Sequence, residues 1–136
     1  MKLELRIDWS ELDVLGHVNN LQIMKYVQAA RVNHLEQVGI SQTHAEQNVG
    51  AILASIHTQF LKPLFYPGNV IIFSRVEYIK TSSIKIHYEI YDNKNELAAE
   101  AQDILVYYDF DKKHKLSIPP DLRKKFEAIE KKIFDL

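Results

Sequence analysis

The sequence contains no cysteine. This excludes disulfide bonds, zinc sites built from thiolates and a cysteine nucleophile, and it permits a reducing compartment. The chain also lacks a large excess of positive or negative charge, because its 17 basic and 18 acidic residues give a formal net charge of -1. A broad nucleic-acid-binding surface needs a basic excess, so we expect no nucleic-acid partner.

Long apolar runs are also missing, and none approaches the roughly 18 residues that a membrane-spanning helix needs. The segment from Met1 to Arg6 alternates charged and apolar side chains and lacks the apolar centre of a signal peptide. No repeat, low-complexity tract or linker is visible. We therefore expect one cytoplasmic domain over residues 1–136, which is long enough to bury a hydrophobic core.

The first forty residues change from strand to helix periodicity. Leu3 to Trp9 alternates apolar and polar side chains, which predicts a strand, and a polar loop follows at residues 10–19. Asn19 or Asn20 can cap a helix there, and Gly39 stands where a helix stop is expected. Between these limits, apolar residues recur at spacings of mostly three and four. They are Leu21, Met24, Val27, Ala30, Leu35 and Val38.

The rest of the chain is rich in Val, Ile, Phe and Tyr, which predicts strands. The predicted strands cover residues 51–60, 69–79, 84–90 and 97–108. Pro119-Pro120 then introduces a charged C-terminal helix from Asp121 to Phe134. The long helix has no partner helix of its own length, so it must pack on the sheet in an α+β layered domain.

The segment Asp13–Asn20 places a carboxylate, an imidazole and two amides directly before the long helix. Backbone N–H groups in the first turn of a helix lack intrahelical partners and favour negative charge, so they can receive an oxyanion. A carboxylate nearby could attack a carbonyl or activate a water molecule. The alternative is an ordinary capped loop, since Asp and Asn are common in turns, and the local pattern taken alone favours that alternative.

A chain-wide resemblance changes this balance. The stretch Trp9–Asp13, followed by Gly16-His17-Val18-Asn19-Asn20 and then Tyr26 and Ala30-Arg31, resembles the signature of 4-hydroxybenzoyl-CoA thioesterase-like proteins of the hot-dog superfamily. The resemblance extends through Phe60–Gly68 to the polar link at residues 80–83. It covers nearly the whole chain except the last helix.

This resemblance implies a curved antiparallel sheet wrapped around one long central helix, with a C-terminal helix added. It implies an acyl-CoA thioesterase that needs no metal or redox cofactor, working as a homodimer or homotetramer with sites at the subunit interface. Asp13 matches the family's nucleophile or general base, and the N–H at or near Asn20 matches the group that polarises the thioester. His17 and Asn19 are implied to shape the site or orient water. The link Lys80, Thr81, Ser82 and Ser83 is implied to bind CoA, although an ordinary strand connection is equally compatible with it.

The sequence departs from related families at one position. Plant-type acyl-carrier thioesterases carry an Asn two residues after the Asp, where this chain has Leu15. Three alternatives remain open: an acyl-carrier-protein thioesterase, a domain that binds acyl thioesters without cleaving them and, less favoured, a dehydratase.

Other polar residues are interpreted as structural. Glu36 lies more than four helical turns after Asn20, so we expect a solvated side chain. Arg31 is expected to pack with a local salt bridge. His34, His57 and His87 have no short metal-binding spacing, so we expect no metal site.

Overall fold

The computed structural model describes residues 1–134 and contains one antiparallel sheet with three α-helices. The strands are β1 (Lys2–Arg6), β2 (Val49–Phe60), β3 (Asn69–Ile79), β4 (Ser83–Tyr91), β5 (Leu97–Asp109) and β6 (His114–Lys115). The helices are α1 (Asn20–Gln37), α2 (Ile40–Gln47) and α3 (Pro120–Glu130). In the described part of the chain, no helix is long and apolar enough to cross a membrane.

The strand order is β1-β3-β4-β5-β2, with β6 paired to β5, so β2 forms one edge of the sheet. The pairing register shifts at Leu53/Ser55, at Val76/Tyr78 and at Ile90/Tyr91. Such bulges bend strands and increase their twist, which lets the sheet curl around α1. The predicted α+β hot-dog architecture is confirmed.

The core lies between α1 and the concave face of the sheet. Ile86, Tyr88 and Leu105 on the sheet are fully buried, as is Val27 on the helix. α3 packs against the same unit through Phe126, which is also fully buried. The buried residues of α1 are Ile23, Tyr26, Val27, Ala30, His34 and Leu35. The predicted apolar stripe is therefore buried at Val27, Ala30, Leu35 and Val38, whereas Leu21 is 68% exposed and Met24 is only half-buried.

Two predicted element limits are wrong at the chain's ends. β1 stops at Arg6, and Trp9–Glu11 forms a 3-10 turn instead of continuing the strand. The Asp8 side chain caps this turn by accepting the Ser10 N–H at 3.0 Å. α3 ends at Glu130 rather than at Phe134, because Lys131 adopts a left-handed conformation with φ of 54°.

Candidate active site at the start of the long helix

The Asp13–Asn20 segment folds into a tight turn directly before α1. Leu12 and Val18 form a β-bridge, and the Asp13 N–H donates to the His17 carbonyl at 2.7 Å. Gly16 has φ of 81°, a conformation that residues with a Cβ rarely adopt. The chain therefore reverses direction at Gly16 and returns the segment to the helix start.

Backbone groups hold the Asp13 carboxylate. Its Oδ1 accepts the Leu15 N–H at 2.8 Å and the His17 N–H at 3.3 Å. Within residues 1–134, no cationic side chain pairs with it and Oδ2 accepts no hydrogen bond. The carboxylate is thus oriented through one oxygen, while the other remains able to meet a ligand.

The first N–H of α1 is also left unused. The Asn19 side chain caps the helix by accepting the Leu21 N–H at 2.9 Å, and the Asn19 carbonyl accepts from Gln22 and Ile23. The Asn20 N–H finds no acceptor in the described chain. A free N–H at the positive end of an 18-residue helix is suited to a carbonyl oxygen that gains negative charge.

Asp13 and Asn20 line one cavity of about 390 Å³. Ile23 from α1 and Phe60 from the end of β2 contribute apolar surface, and Lys62 lies at its edge. The remaining lining residues are His17, Val18, Leu61 and Pro63. The cavity therefore joins a carboxylate and a hydrogen-bond donor to an apolar wall, an arrangement suited to an acyl group next to a polarised carbonyl.

Lys62 is fixed by two acidic partners. Its Nζ lies 2.7 Å from Asp92 Oδ2 and also contacts Glu96. The hydrogen bond to Asp92, and then the one to Glu96, raise the pKa of Lys62 above its ordinary value. Lys62 is thus held as a cation at the rim of the cavity.

The two supporting residues of the turn lie in different surroundings. His17 lines the cavity, and its ring packs edge-on against Phe65 with centroids 5.1 Å apart. Asn19 instead borders a groove on the other side of the turn, beside Glu11 and Lys25. The structure therefore brings His17 to the cavity, while the Asn19 side chain is occupied in capping α1.

The link Lys80–Ser83 lies far from Asp13 within one chain. It lines a separate groove of about 510 Å³. Ser83 pairs with Val106, whereas Phe60 beside the Asp13 cavity pairs with Ala99, so seven residues of β5 separate the two places. At the usual rise per strand residue this is about 23 Å. Arg123 fixes the link by donating to the carbonyl of Lys80 at 2.8 Å.

The sequence interpretation missed Glu11. The Glu11 side chain accepts the Tyr26 hydroxyl at 2.6 Å and the Asp8 N–H at 2.9 Å. A recognisable signal was present, because Asp8 followed three residues later by Glu11 is a capping-box pattern.

One group with metal-ligating side chains lies elsewhere, on the outer face of the sheet. His87, Glu89 and Glu100 bring ligand atoms within 4.8 Å of one another. Glu89 and Glu100 are directly opposite each other on β4 and β5. This face points away from α1, so the group does not belong to the Asp13 cavity.

The structural role predicted for Glu36 agrees with the structure, whereas the one predicted for Arg31 agrees only in part. Glu36 is exposed, as predicted. Arg31 forms an ion pair with Asp103, 72 residues away on β5, at 2.7 Å. The pairing was expected to be local and is instead long-range, because α1 lies across the sheet.

Comparison with known proteins gives a family. The model of the thioesterase-like superfamily matches residues 7–126. The chain is 30% identical over 129 residues to the chloroplastic acyl-acyl carrier protein thioesterase ATL3 of Arabidopsis thaliana, covering 92% of this chain and 66% of that protein. It is 23% identical over 132 residues to the long-chain acyl-CoA thioesterase FadM of Escherichia coli K12, covering 96% of this chain and all of that protein.

A solved structure has the same fold. The thioesterase of Thermus thermophilus complexed with coenzyme A and Zn superposes with a TM-score of 0.85 at 21% identity, covering 96% of this chain and 94% of that one. The chain therefore belongs to the thioesterase-like superfamily, has its hot-dog fold and, at the level of that family, is a thioester hydrolase.

Proposed function

We propose that this protein hydrolyses an acyl-CoA thioester to a carboxylic acid and free CoA. The main support is that Asp13, whose carboxylate has a free oxygen, and Asn20, whose N–H has no acceptor among the described residues, line the same cavity. The similarity to an E. coli protein named as an acyl-CoA thioesterase favours CoA as the thiol. So does the fold shared with a thioesterase that holds coenzyme A.

The thioester carbonyl oxygen would accept a hydrogen bond from the Asn20 N–H. This donor is fixed by the helix and sits at the positive end of its dipole, so it stabilises the oxyanion without reorganising. The acyl chain would lie against Ile23 and Phe60, away from water.

Asp13 would then act in one of two ways. As a nucleophile, its free oxygen bonds to the carbonyl carbon, the carbon–sulfur bond breaks to release the CoA thiolate, and water hydrolyses the resulting anhydride. As a general base, Asp13 takes a proton from a water molecule that attacks the same carbon, the carbon–sulfur bond then breaks, and the departing sulfur takes up the proton held by Asp13 to give the thiol.

Replacing Asp13 tests the proposed role directly. We expect Asp13→Asn to lower kcat for acyl-CoA hydrolysis about 10²–10⁴-fold, measured as thiol release. Asp109→Asn is a matched control for the stability of such a turn, because Asp109 also accepts two backbone N–H groups, at 2.9 and 3.0 Å, and does not line the cavity of its own chain. Equal activity of Asp13→Asn and the wild type would contradict the proposal.

The donor at Asn20 can be removed without removing the helix. Proline is favoured at the first position of a helix and lacks an N–H, and Asn19 already has the extended conformation that must precede proline. We expect Asn20→Pro to lower kcat about 10²–10³-fold, while Asn20→Ala, which keeps the N–H, retains most activity. Similar rates for the two variants would exclude this N–H as the donor.

We further infer that two copies pair through β2. This edge strand is exposed on both faces in the single chain, with Ile52 and Leu53 at 40% and 41% exposure on opposite faces. An unpaired edge with apolar side chains readily accepts another strand. Antiparallel pairing about a two-fold axis would place the Phe60 end of one β2 beside the Val49 end of the other.

This pairing would assemble each site from two chains. Lys80–Ser83 of the second copy would then lie at the same end of the joined sheet as Asp13. Three strand spacings, about 14 Å, would separate β2 of one copy from β4 of the other. An extended thiol carrier such as CoA could span that gap, with Lys80 and the adjacent hydroxyls binding its phosphates.

Mixing two variants, each altered in one half of the composite site, tests that site. We expect an equal mixture of Asp13→Asn and Lys80→Glu, dissociated and reassembled, to recover about a quarter of the wild-type rate, because half of the dimers contain one intact site. A mixture no more active than its two components would contradict the shared site. Light scattering on the wild type checks that a dimer forms.

A second candidate is an acyl-carrier-protein thioesterase, favoured by the 30% identity to the Arabidopsis relative. The chain spans 66% of that protein's length, and Leu15 replaces the Asn expected of plant-type enzymes. Comparing kcat/KM for one acyl group on CoA and on carrier protein distinguishes the two. Tight binding of acyl-CoA without turnover by the wild type would instead indicate a binding domain.

A further inference from the structure

Glu11 contacts both ends of the Asp13 turn and the long helix. Its side chain accepts the Tyr26 hydroxyl at 2.6 Å, and its carbonyl accepts the Asn19 N–H at 2.8 Å. The same carboxylate accepts the Asp8 N–H at 2.9 Å. Glu11, two residues before Asp13, is therefore hydrogen-bonded to Asn19, the residue directly before Asn20.

Tyr26 is a rigid anchor for this contact. Its ring is 2% exposed and lies six positions after Asn20 on α1. Burial, and then the hydrogen bond to Glu11, raise the pKa of Tyr26 far above its ordinary value. The hydroxyl therefore stays protonated and continues to donate over the pH range in which proteins work.

The position of this pair suggests a role beyond stability. Asp13 has no side-chain partner within residues 1–134, so its placement depends on the backbone on either side of the turn. We propose that Tyr26 and Glu11 are positioning residues that set the distance between the Asp13 carboxylate and the Asn20 N–H. This inference rests on the proposed function, because it assigns the distance a role in catalysis. A displacement of about 1 Å between reacting groups can cost up to about 100-fold in rate.

The protein contains a matched pair for comparison. Tyr88 is also a buried tyrosine whose hydroxyl donates to a carboxylate, that of Asp103, at 2.9 Å. That contact lies in the core between α1 and the sheet and touches no residue of the turn. Tyr26→Phe and Tyr88→Phe therefore each delete one hydroxyl of a buried tyrosine that donates to a carboxylate, and the shape of the ring is kept in both.

The experiment measures kcat and KM with one acyl-CoA for both variants, each corrected for its folded fraction. We expect Tyr26→Phe to lower kcat about 10-fold with KM changed less than about twofold, and Tyr88→Phe to keep the wild-type kcat. Glu11→Ala should lower kcat at least as much as Tyr26→Phe, because it also removes the acceptor of the Asp8 N–H. The double variant should be no slower than Glu11→Ala, since the contact with Tyr26 is already lost in that variant. Glu11→Gln keeps an acceptor oxygen and should recover most of the rate.

Equal kcat values for Tyr26→Phe and Tyr88→Phe would overturn the inference. A Glu11→Ala variant with wild-type kcat would also overturn it. Glu11 is less buried than Tyr26, so this variant tests the same contact if Tyr26→Phe folds poorly. The proposed function fails separately, through an active Asp13→Asn variant. If Asp13→Asn is inactive while Tyr26→Phe is fully active, only the positioning role is wrong.

Discussion

Two regions of this protein hold carboxylates in opposite ways. In the turn before α1, Asp13 is half-buried and held only by neutral backbone N–H groups. Beneath the helix, Asp103 is fully buried, with Arg31 at 2.7 Å and Tyr88 at 2.9 Å. It belongs to a group that we call the core polar cluster. The members are Arg31, His34, Ser74, Tyr88, Asp103 and Glu130.

The difference follows from the cost of burying charge. An ionised carboxylate away from water needs a cation or several donors, and burial raises the pKa of Asp103 even though Arg31 and Tyr88 oppose this shift. The half-buried Asp13 keeps contact with water and has no such partner among the described residues. A nucleophile or base must remain free to meet substrate, so the carboxylate without a cation is the better candidate for chemistry.

The largest effect on stability should come from breaking the core polar cluster. We expect Arg31→Met to lower the free energy of unfolding by about 3–5 kcal/mol, because it leaves Asp103 buried without its cation. Urea unfolding at neutral pH measures this loss. Adding Asp103→Asn to the variant should recover part of it, since the uncompensated charge is then removed.

An exposed arginine serves as the control for that variant. The Arg75 side chain is 56% exposed and lies 3.9 Å from Glu77. We expect Arg75→Met to change stability by less than about 0.5 kcal/mol, because surface ion pairs are weak and screened. Similar losses for the two arginine variants would contradict the contrast between buried and exposed charge.

A smaller loss of stability should follow from replacing Glu130, which joins α3 to the core polar cluster. Its Oε1 lies 3.0 Å from His34 Nε2 and accepts the Val76 N–H at 3.1 Å. Burial alone would raise the pKa of Glu130, but these hydrogen bonds outweigh burial and lower it below its usual value of 4.5. We expect Glu130→Gln to cost about 1–2 kcal/mol at pH 7.

The lowered pKa of Glu130 predicts how the stability difference between wild type and Glu130→Gln changes with pH. A carboxylate whose folded pKa is lowered contributes stability above its unfolded pKa, and that contribution is lost as pH falls through the folded value. The difference in free energy of unfolding between wild type and Glu130→Gln should therefore be largest near pH 7 and shrink below about pH 4.5. A gap that grows on acidification, in unfolding curves at several pH values, would refute this assignment.

The smallest effect on stability should come from the residue with the largest expected effect on activity. Asp13→Asn keeps an acceptor oxygen for the backbone N–H groups and removes no ion pair among the described residues. We expect the free energy of unfolding to change by less than about 0.5 kcal/mol. A loss comparable to that of Arg31→Met would mean that the Asp13 turn is part of the stabilising framework.

Local pattern was sufficient to predict most of the elements. The predicted strand at residues 69–79 has the observed limits of β3, because turn residues bound it at both ends. The helix from Asn20 and its Asn19 cap were also within reach, since capping depends on neighbouring residues. The start of the 3-10 turn at Trp9–Glu11 was missed because the alternating pattern of β1 continues as far as Trp9.

Contacts between distant residues were not predictable in this way. Asp103 lies on a strand of alternating character, and nothing nearby in the sequence indicates that Arg31 pairs with it. The contact between Glu11 and Tyr26 spans fifteen residues and depends on how α1 leaves the turn. Such pairs form only when separate elements pack together.

The sequence by itself determined the long helix, the strand-rich remainder and the turn that presents Asp13 ahead of a helix start. These features depend on side-chain periodicity and on backbone groups a few residues apart. The tertiary structure decided which carboxylate is neutralised, which N–H remains free and which side chains meet at one cavity. The reason is that the sheet curls around α1, and the resulting burial and distances join residues that the chain keeps far apart.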